Sequence, residues 1–301
     1  MNKFIIAIIV IIIAAIGVYF MIDGFPDNQR IDTENNQNTG TTTPIAVVED
    51  EEDASKSVIG QSVEGRDITA YHFGTGETEI LFVGGTHGGY SWNTVLVAYE
   101  AMDYLEKNPR VIPDNVKVTV IPVLNPDGLN KVVGIPGRFT QSAIVALSLS
   151  ETIPGRFNAN NVDINRNFDC NWRSSAMWQN KTVSGGTKPF SEPESQALRD
   201  YVSDSKPDAV VAWFSAAGGV YASSCNGSIS EETNTLKEIY ADASGYPAFD
   251  SFDFYETNGD MTNWLAKNKI PAISILLTNH TDIEWNKNEF GIRALLNHYA
   301  D

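Results

Sequence analysis

Histidine and cysteine are scarce in this chain, and positive charge is short. Its 301 residues hold four histidines and two cysteines, with 21 Lys+Arg against 38 Asp+Glu. The formal net charge of -17 argues against a general affinity for nucleic acid or anionic membrane surfaces. The pair Cys170 and Cys225 allows one intrachain disulfide at most. The histidines His72, His87, His280 and His298 are far apart in sequence, and no tetrahedral metal site can be assembled from them without assuming geometry. There is no internal repeat, so one folded domain is sufficient.

A hydrophobic content of 42% and an aromatic content of 10% are ample for a core. Phe4 to Ile22 is an unbroken apolar run, preceded by Lys3 and followed by Asp23. At a helical rise of about 1.5 Å per residue it matches the ~30 Å hydrocarbon layer of a membrane. The leading positive charge favours an N-inside orientation. A cleaved signal peptide is the rival reading, but its apolar part usually runs roughly 7–15 residues. The expectation is therefore a transmembrane signal anchor over 1–22, with the rest of the chain on the extracytoplasmic side of a cell membrane. Residues 23–56 include Glu49-Asp50-Glu51-Glu52-Asp53 and few apolar positions, and read as an acidic flexible linker. The folded domain is expected over 57–301.

Within it, 68–73, 79–83, 116–123, 209–214 and 272–277 read as strands. Segments 93–106, 193–202, 231–243, 260–267 and 288–298 read as helices. Asn125-Pro126-Asp127-Gly128 reads as a turn. Strands alternating with helices predict an α/β domain whose sheet is covered on both faces. Ligand sites of such sheets gather beyond the strand ends. Gly84 to Gly89, the Asn125 turn, Ser215-Ala216 and Thr278-Asn279-His280 all follow strands. Cys170 and Cys225 fall in segments near that edge. A disulfide is the expectation in an oxidising compartment, and two buried thiols the alternative.

Asn161 to Trp172 places Arg166 between Asn165 and Asn167, flanked by Asp163 and Asp169. A planar guanidinium with amide neighbours can grip a carboxylate through two parallel hydrogen bonds. The bland alternative is an internal salt bridge to Asp163 or Asp169. With Gly65-Arg66, Gly84-Gly85-Thr86-His87-Gly88, Asn125-Pro126-Asp127-Gly128, Phe190-Ser191-Glu192-Pro193-Glu194 and Ile270-Pro271-Ala272 in the same order, the chain resembles the zinc carboxypeptidase family. The resemblance covers nearly all of 57–301. It implies a single domain with a central mixed β-sheet flanked by helices on both faces.

It also implies roles for particular residues. His87 matches the first zinc ligand. The second, a glutamate, falls on Tyr90 or Ser91, and the third, a histidine, falls on Phe214. The general base falls on Leu276. Leucine and phenylalanine neither coordinate zinc nor move a proton. Asn165 and Arg166 match the pair that holds the substrate's terminal carboxylate. Arg156 resembles the arginine that polarises the scissile carbonyl, Tyr255 the tyrosine that covers the substrate, and Thr262 a residue shaping the side-chain pocket. The resulting expectation is a catalytically inactive homologue, with no cofactor although the family uses zinc. It would bind the C-terminus of a peptide or cell-wall peptide and reach the membrane through its N-terminal helix. The alternative is an active metallocarboxypeptidase with a non-standard metal site drawing on His280 or Glu284.

Overall fold

Side chains alternate between the two faces of a strand, and the central strands here are buried on both. The computed structural model describes residues 55–144 and 147–300. Its strands are β1 (Lys56–Gln61), β2 (Asp67–Phe73), β3 (Thr78–Val83), β4 (Val116–Ile121), β5 (Ser175–Trp178), β6 (Lys181–Ser184), β7 (Ala209–Ser215), β8 (Gly219–Ala222), β9 (Ala248–Phe249) and β10 (Ala272–Leu277). Eight of them form one mixed sheet in the order β1-β2-β4-β3-β7-β10-β8-β9, while β5 and β6 form a separate hairpin. β4, β3, β7 and β10 are mutually parallel.

Helices cover both faces. Phe82, Trp213 and Ile275 point to one side, where α1 (Trp92–Lys107), α4 (Glu231–Ser244) and α6 (Trp285–His298) contribute Val95, Leu236 and Leu295. Their strand neighbours Leu81, Ala212 and Leu276 point to the other side, against Leu198 of α3 (Pro193–Ser205) and Leu265 of α5 (Met261–Lys267). Each of the valine, leucine, isoleucine and phenylalanine side chains among them contributes roughly 1.5–3 kcal/mol through burial. The same two-sided burial explains why these strands read as continuous apolar runs.

The structure differs from the sequence reading at Asn125. The expected turn is the start of a helix, α2 (Pro126–Val133), with the Asn125 side chain accepting from the Gly128 amide. Proline at the first helical position and asparagine at the cap serve a helix start as well as a turn. The run 4–22 and the spacer up to residue 54 lie outside the described residues. No helix among the described residues is long and apolar enough to cross a membrane. Cys170 and Cys225 form a disulfide with a Cα–Cα distance of 6.0 Å, tying the stretch after Arg166 to the segment that follows β8.

Parallel strands end at one edge, and their loops meet there. The turn after β3 packs tightly: a Cβ on Gly88, at φ +42°, would stand 2.7 Å from the Gly155 carbonyl oxygen. Only glycine allows that approach, which sets His87 beside the segment carrying Arg156.

Candidate functional site

At this edge the sheet face under α3 and α5 opens into a cavity of about 170 Å³. Its lining includes a facing pair of strand residues, Phe214 on β7 opposite Leu276 on β10. His87, Arg156, Asn165, Arg166, Tyr255 and Thr262 also line it. The structure thus brings together most of the residues singled out from sequence. Tyr90 and Ser91 do not line this cavity.

The two arginines have different partners. Arg156 is 1% exposed. Its Nε donates to Asp163 Oδ2 at 2.8 Å, and its Nη2 lies 2.8 Å from the same oxygen. Its guanidinium carbon is 4.5 Å from the Trp178 ring centre. Burial alone would raise the Asp163 carboxyl, but the charge of Arg156, with His87 and Arg166, holds it well below the usual carboxylate range. Arg166, equally buried, donates to backbone carbonyls among the described residues: Nε to Met177 at 3.1 Å and Nη1 to Asn165 at 2.6 Å. No carboxylate pairs with it among the described residues, because Asp163 holds Arg156 and Asp169 holds Lys267 at 2.8 Å. The Tyr255 ring lies over it, 5.8 Å from centroid to guanidinium carbon.

The Asn165 side chain is occupied. Its Nδ2 donates to Asp260 Oδ2 at 2.7 Å, and its Oδ1 accepts from the Met261 amide at 3.0 Å. It therefore fixes the start of α5 against the arginine loop. Thr262 Oγ1 donates to Asp260 Oδ1 at 2.8 Å and lies 3.1 Å from Ser274 Oγ. Ser274, Tyr221 and Asp260 line the same cavity and were not singled out from the sequence. A serine inside the apolar run of β10 was the available signal for one of them.

A second cavity of about 690 Å³ adjoins the first and shares Ser215, Phe252, Tyr255 and Leu276 with it. Tyr90, Trp178, Phe254 and His280 complete much of its wall. The His280 ring packs tilted against Tyr90, 4.5 Å between centroids, and burial pushes its pKa down to about 4. Glu284 is held elsewhere, accepting from Tyr246 Oη at 2.8 Å and the Thr278 amide at 2.7 Å. Neither residue joins His87.

His87 itself is buried, with its Nε2 3.4 Å from Asp163 Oδ1 and its ring 5.5 Å from that of Phe214. That separation is long for a hydrogen bond, and both ring nitrogens lack a partner. Burial first, then the Arg156 charge, lowers its pKa to about 4. A catalytic zinc takes three protein ligands and leaves one position open. No group of three or more His, Cys, Asp or Glu among the described residues is arranged to hold a metal. Ser91 Oγ is a buried hydroxyl without a partner, and the group packed against the His87 ring is the Phe214 ring, which coordinates no metal. These residues do not fit the ion.

A family model described as zinc carboxypeptidase matches residues 46–293. Carboxypeptidase Z of Rattus norvegicus is 29% identical over 123 residues, covering 36% of this chain and 17% of that protein. Gamma-D-glutamyl-L-diamino acid endopeptidase 1 of Lysinibacillus sphaericus is 26% identical over 215 residues, covering 65% of this chain and 54% of that protein. The matches therefore span only part of these relatives. The murein-tripeptide amidase MpaA of Escherichia coli O157 shares the fold, with a TM-score of 0.57 at 21% identity over 82% of this chain and 93% of its own. The family match overturns one expectation: membership implies zinc as the cofactor, where none was expected. By a model that spans most of its length, the chain belongs to the zinc carboxypeptidase family.

Proposed function

We propose that this chain is a member of the family that binds peptide C-terminal carboxylates and does not cleave them. The observation that carries the reading is Arg166: a buried guanidinium, facing a cavity, with no carboxylate partner among the described residues. Asp163 acts on Arg166 through space but is bonded to Arg156, and a buried guanidinium with no carboxylate bonded to it is costly. A ligand carboxylate would supply a bonded counter-charge through charge-assisted hydrogen bonds. Tyr255, on the mobile-tyrosine position of the family, would close over it. Arg156 is a fixed positive charge beside the apolar Phe214–Leu276 pair, already neutralised by Asp163.

The absence of cleavage rests on Leu276, which stands where the family's general base stands and cannot accept a proton. The test is direct. Incubation with a panel of short peptides, with and without added zinc, is expected to release no terminal amino acid. Release would overturn the reading. Titration with free and C-amidated peptides tests the binding half.

The ligand class we favour is a cell-wall peptide, since two relatives carry names of that chemistry. We also propose that residues 1–22 anchor the chain in the cell membrane, that 23–56 space it, and that 57–301 face the extracytoplasmic side. Recovery of the full chain in the soluble fraction without detergent would remove the anchor.

A further inference from the structure

We propose that Ser57 is a nucleophile that takes acyl groups from small esters, with His72 as its general base. The pair belongs to a relay across four neighbouring strands of the sheet: Ser57 on β1, His72 on β2, Thr119 on β4 and Glu79 on β3. His72 and Thr119 are directly paired in the β2–β4 register. The relay shares no residue with the Arg166 cavity.

The direction of the hydrogen bonds sets the role of each member. Burial would raise the Glu79 carboxyl, but Thr119, Tyr201 and Lys117 lower it, so at neutral pH it is ionised and only accepts. Thr119 Oγ1 and Tyr201 Oη each donate to its Oε1 at 2.5 Å. The one proton of Thr119 is committed there, so towards His72 Nδ1, 3.1 Å away, Thr119 accepts. That puts the ring proton on Nδ1 and leaves a lone pair on Nε2. Ser57 Oγ, 2.9 Å from Nε2, is therefore the donor in that contact. The Tyr201 ring stacks on the imidazole with centroids 6.4 Å apart. Burial first, then the Lys117 charge, lowers the His72 pKa against the pull of Glu79, so the ring is neutral at pH 7 and can take a proton. A hydroxyl bonded to a base that a third group orients is the arrangement of an activated nucleophile. Ser57 is exposed on the outermost strand, where an ester can reach it from solvent. In the reaction, Ser57 Oγ attacks the acyl carbon as its proton passes to His72 Nε2. The bond to the alcohol oxygen breaks, and the alcohol leaves with that proton. Water, deprotonated by the same ring, then attacks the Ser57 ester. The acid departs, and the proton returns to Oγ.

The experiment treats the full chain with a fluorophosphonate, which leaves a stable adduct on an activated serine as fluoride departs. Peptide mass spectrometry locates the adduct. One adduct per chain at Ser57 is expected, and none on that peptide in Ser57→Ala. His72→Gln should slow its formation about 100-fold. Thr119→Val should slow it as well, while Thr119→Ser keeps the parent rate. With p-nitrophenyl acetate, the parent should release more than one nitrophenolate per chain. No adduct at Ser57, or one that forms as fast in His72→Gln as in the parent, overturns the proposal. An adduct at Ser57 with release that stops at one nitrophenolate overturns its hydrolysis step.

Discussion

At Asp163 a fully buried carboxylate meets a fully buried guanidinium, Arg156. Removing one member leaves the other unpaired in a dry site. Asp163→Asn is expected to cost about 3–5 kcal/mol of stability, read as a lower urea midpoint at unchanged slope. A midpoint shift too small to measure would mean that water reaches this pair. The outcome for Arg166 is different, because its bonds go to backbone carbonyls and not to a charge. Arg166→Lys keeps the charge but loses the planar fork, so it should weaken carboxylate binding while changing the melting temperature little. At this scale the sequence was legible only in part. It offered Asp163 and Asp169 as equally near partners for Arg166, yet both are taken by residues brought in by the fold, Arg156 and Lys267. The Asn165–Asp260 bond crosses 95 positions and leaves no local signature.

Strands β3, β7 and β10 were readable because burial on both faces makes them apolar throughout. β8 and β9, of 4 and 2 residues, are too short to show a period, although β8 carries Tyr221. The hairpin of β5 and β6 was missed for the same reason, and with it Trp178, which stacks on Arg156. Two predictions belong to the elements. Converting Cys170 and Cys225 together to serine should cost about 2–5 kcal/mol, measured by thermal unfolding against the oxidised parent. At the other end of β3, Glu79 joins Thr119 Oγ1, Tyr201 Oη and Lys117. Burial would raise its carboxyl, but these three partners lower it below its ordinary value. Its contribution to stability is therefore complete above an unfolded-state pKa of about 4.3 and is lost as pH falls through the lower folded value. The parent's melting temperature should fall more steeply than that of Glu79→Gln as pH drops below about 4.3. Parallel curves would show that the network contributes nothing specific to the ionised form.

The whole molecule carries a formal net charge of -17, yet its candidate site presents an unpaired guanidinium. A ligand carboxylate approaches against the overall field and is held only at close range. Screening shortens that field to about 8–10 Å at physiological salt. The association rate of a peptide with one net negative charge should therefore rise from low to physiological ionic strength. A falling rate would mean that the local positive field dominates the approach. The most direct measurement is equilibrium titration of the full chain with one peptide in two forms, free acid and C-terminal amide, repeated on Arg166→Ala. The parent should prefer the acid by about tenfold, as expected for a charge-assisted bond, and Arg166→Ala should bind both forms alike. Equal affinity of the parent for the two forms would contradict carboxylate recognition by this pocket.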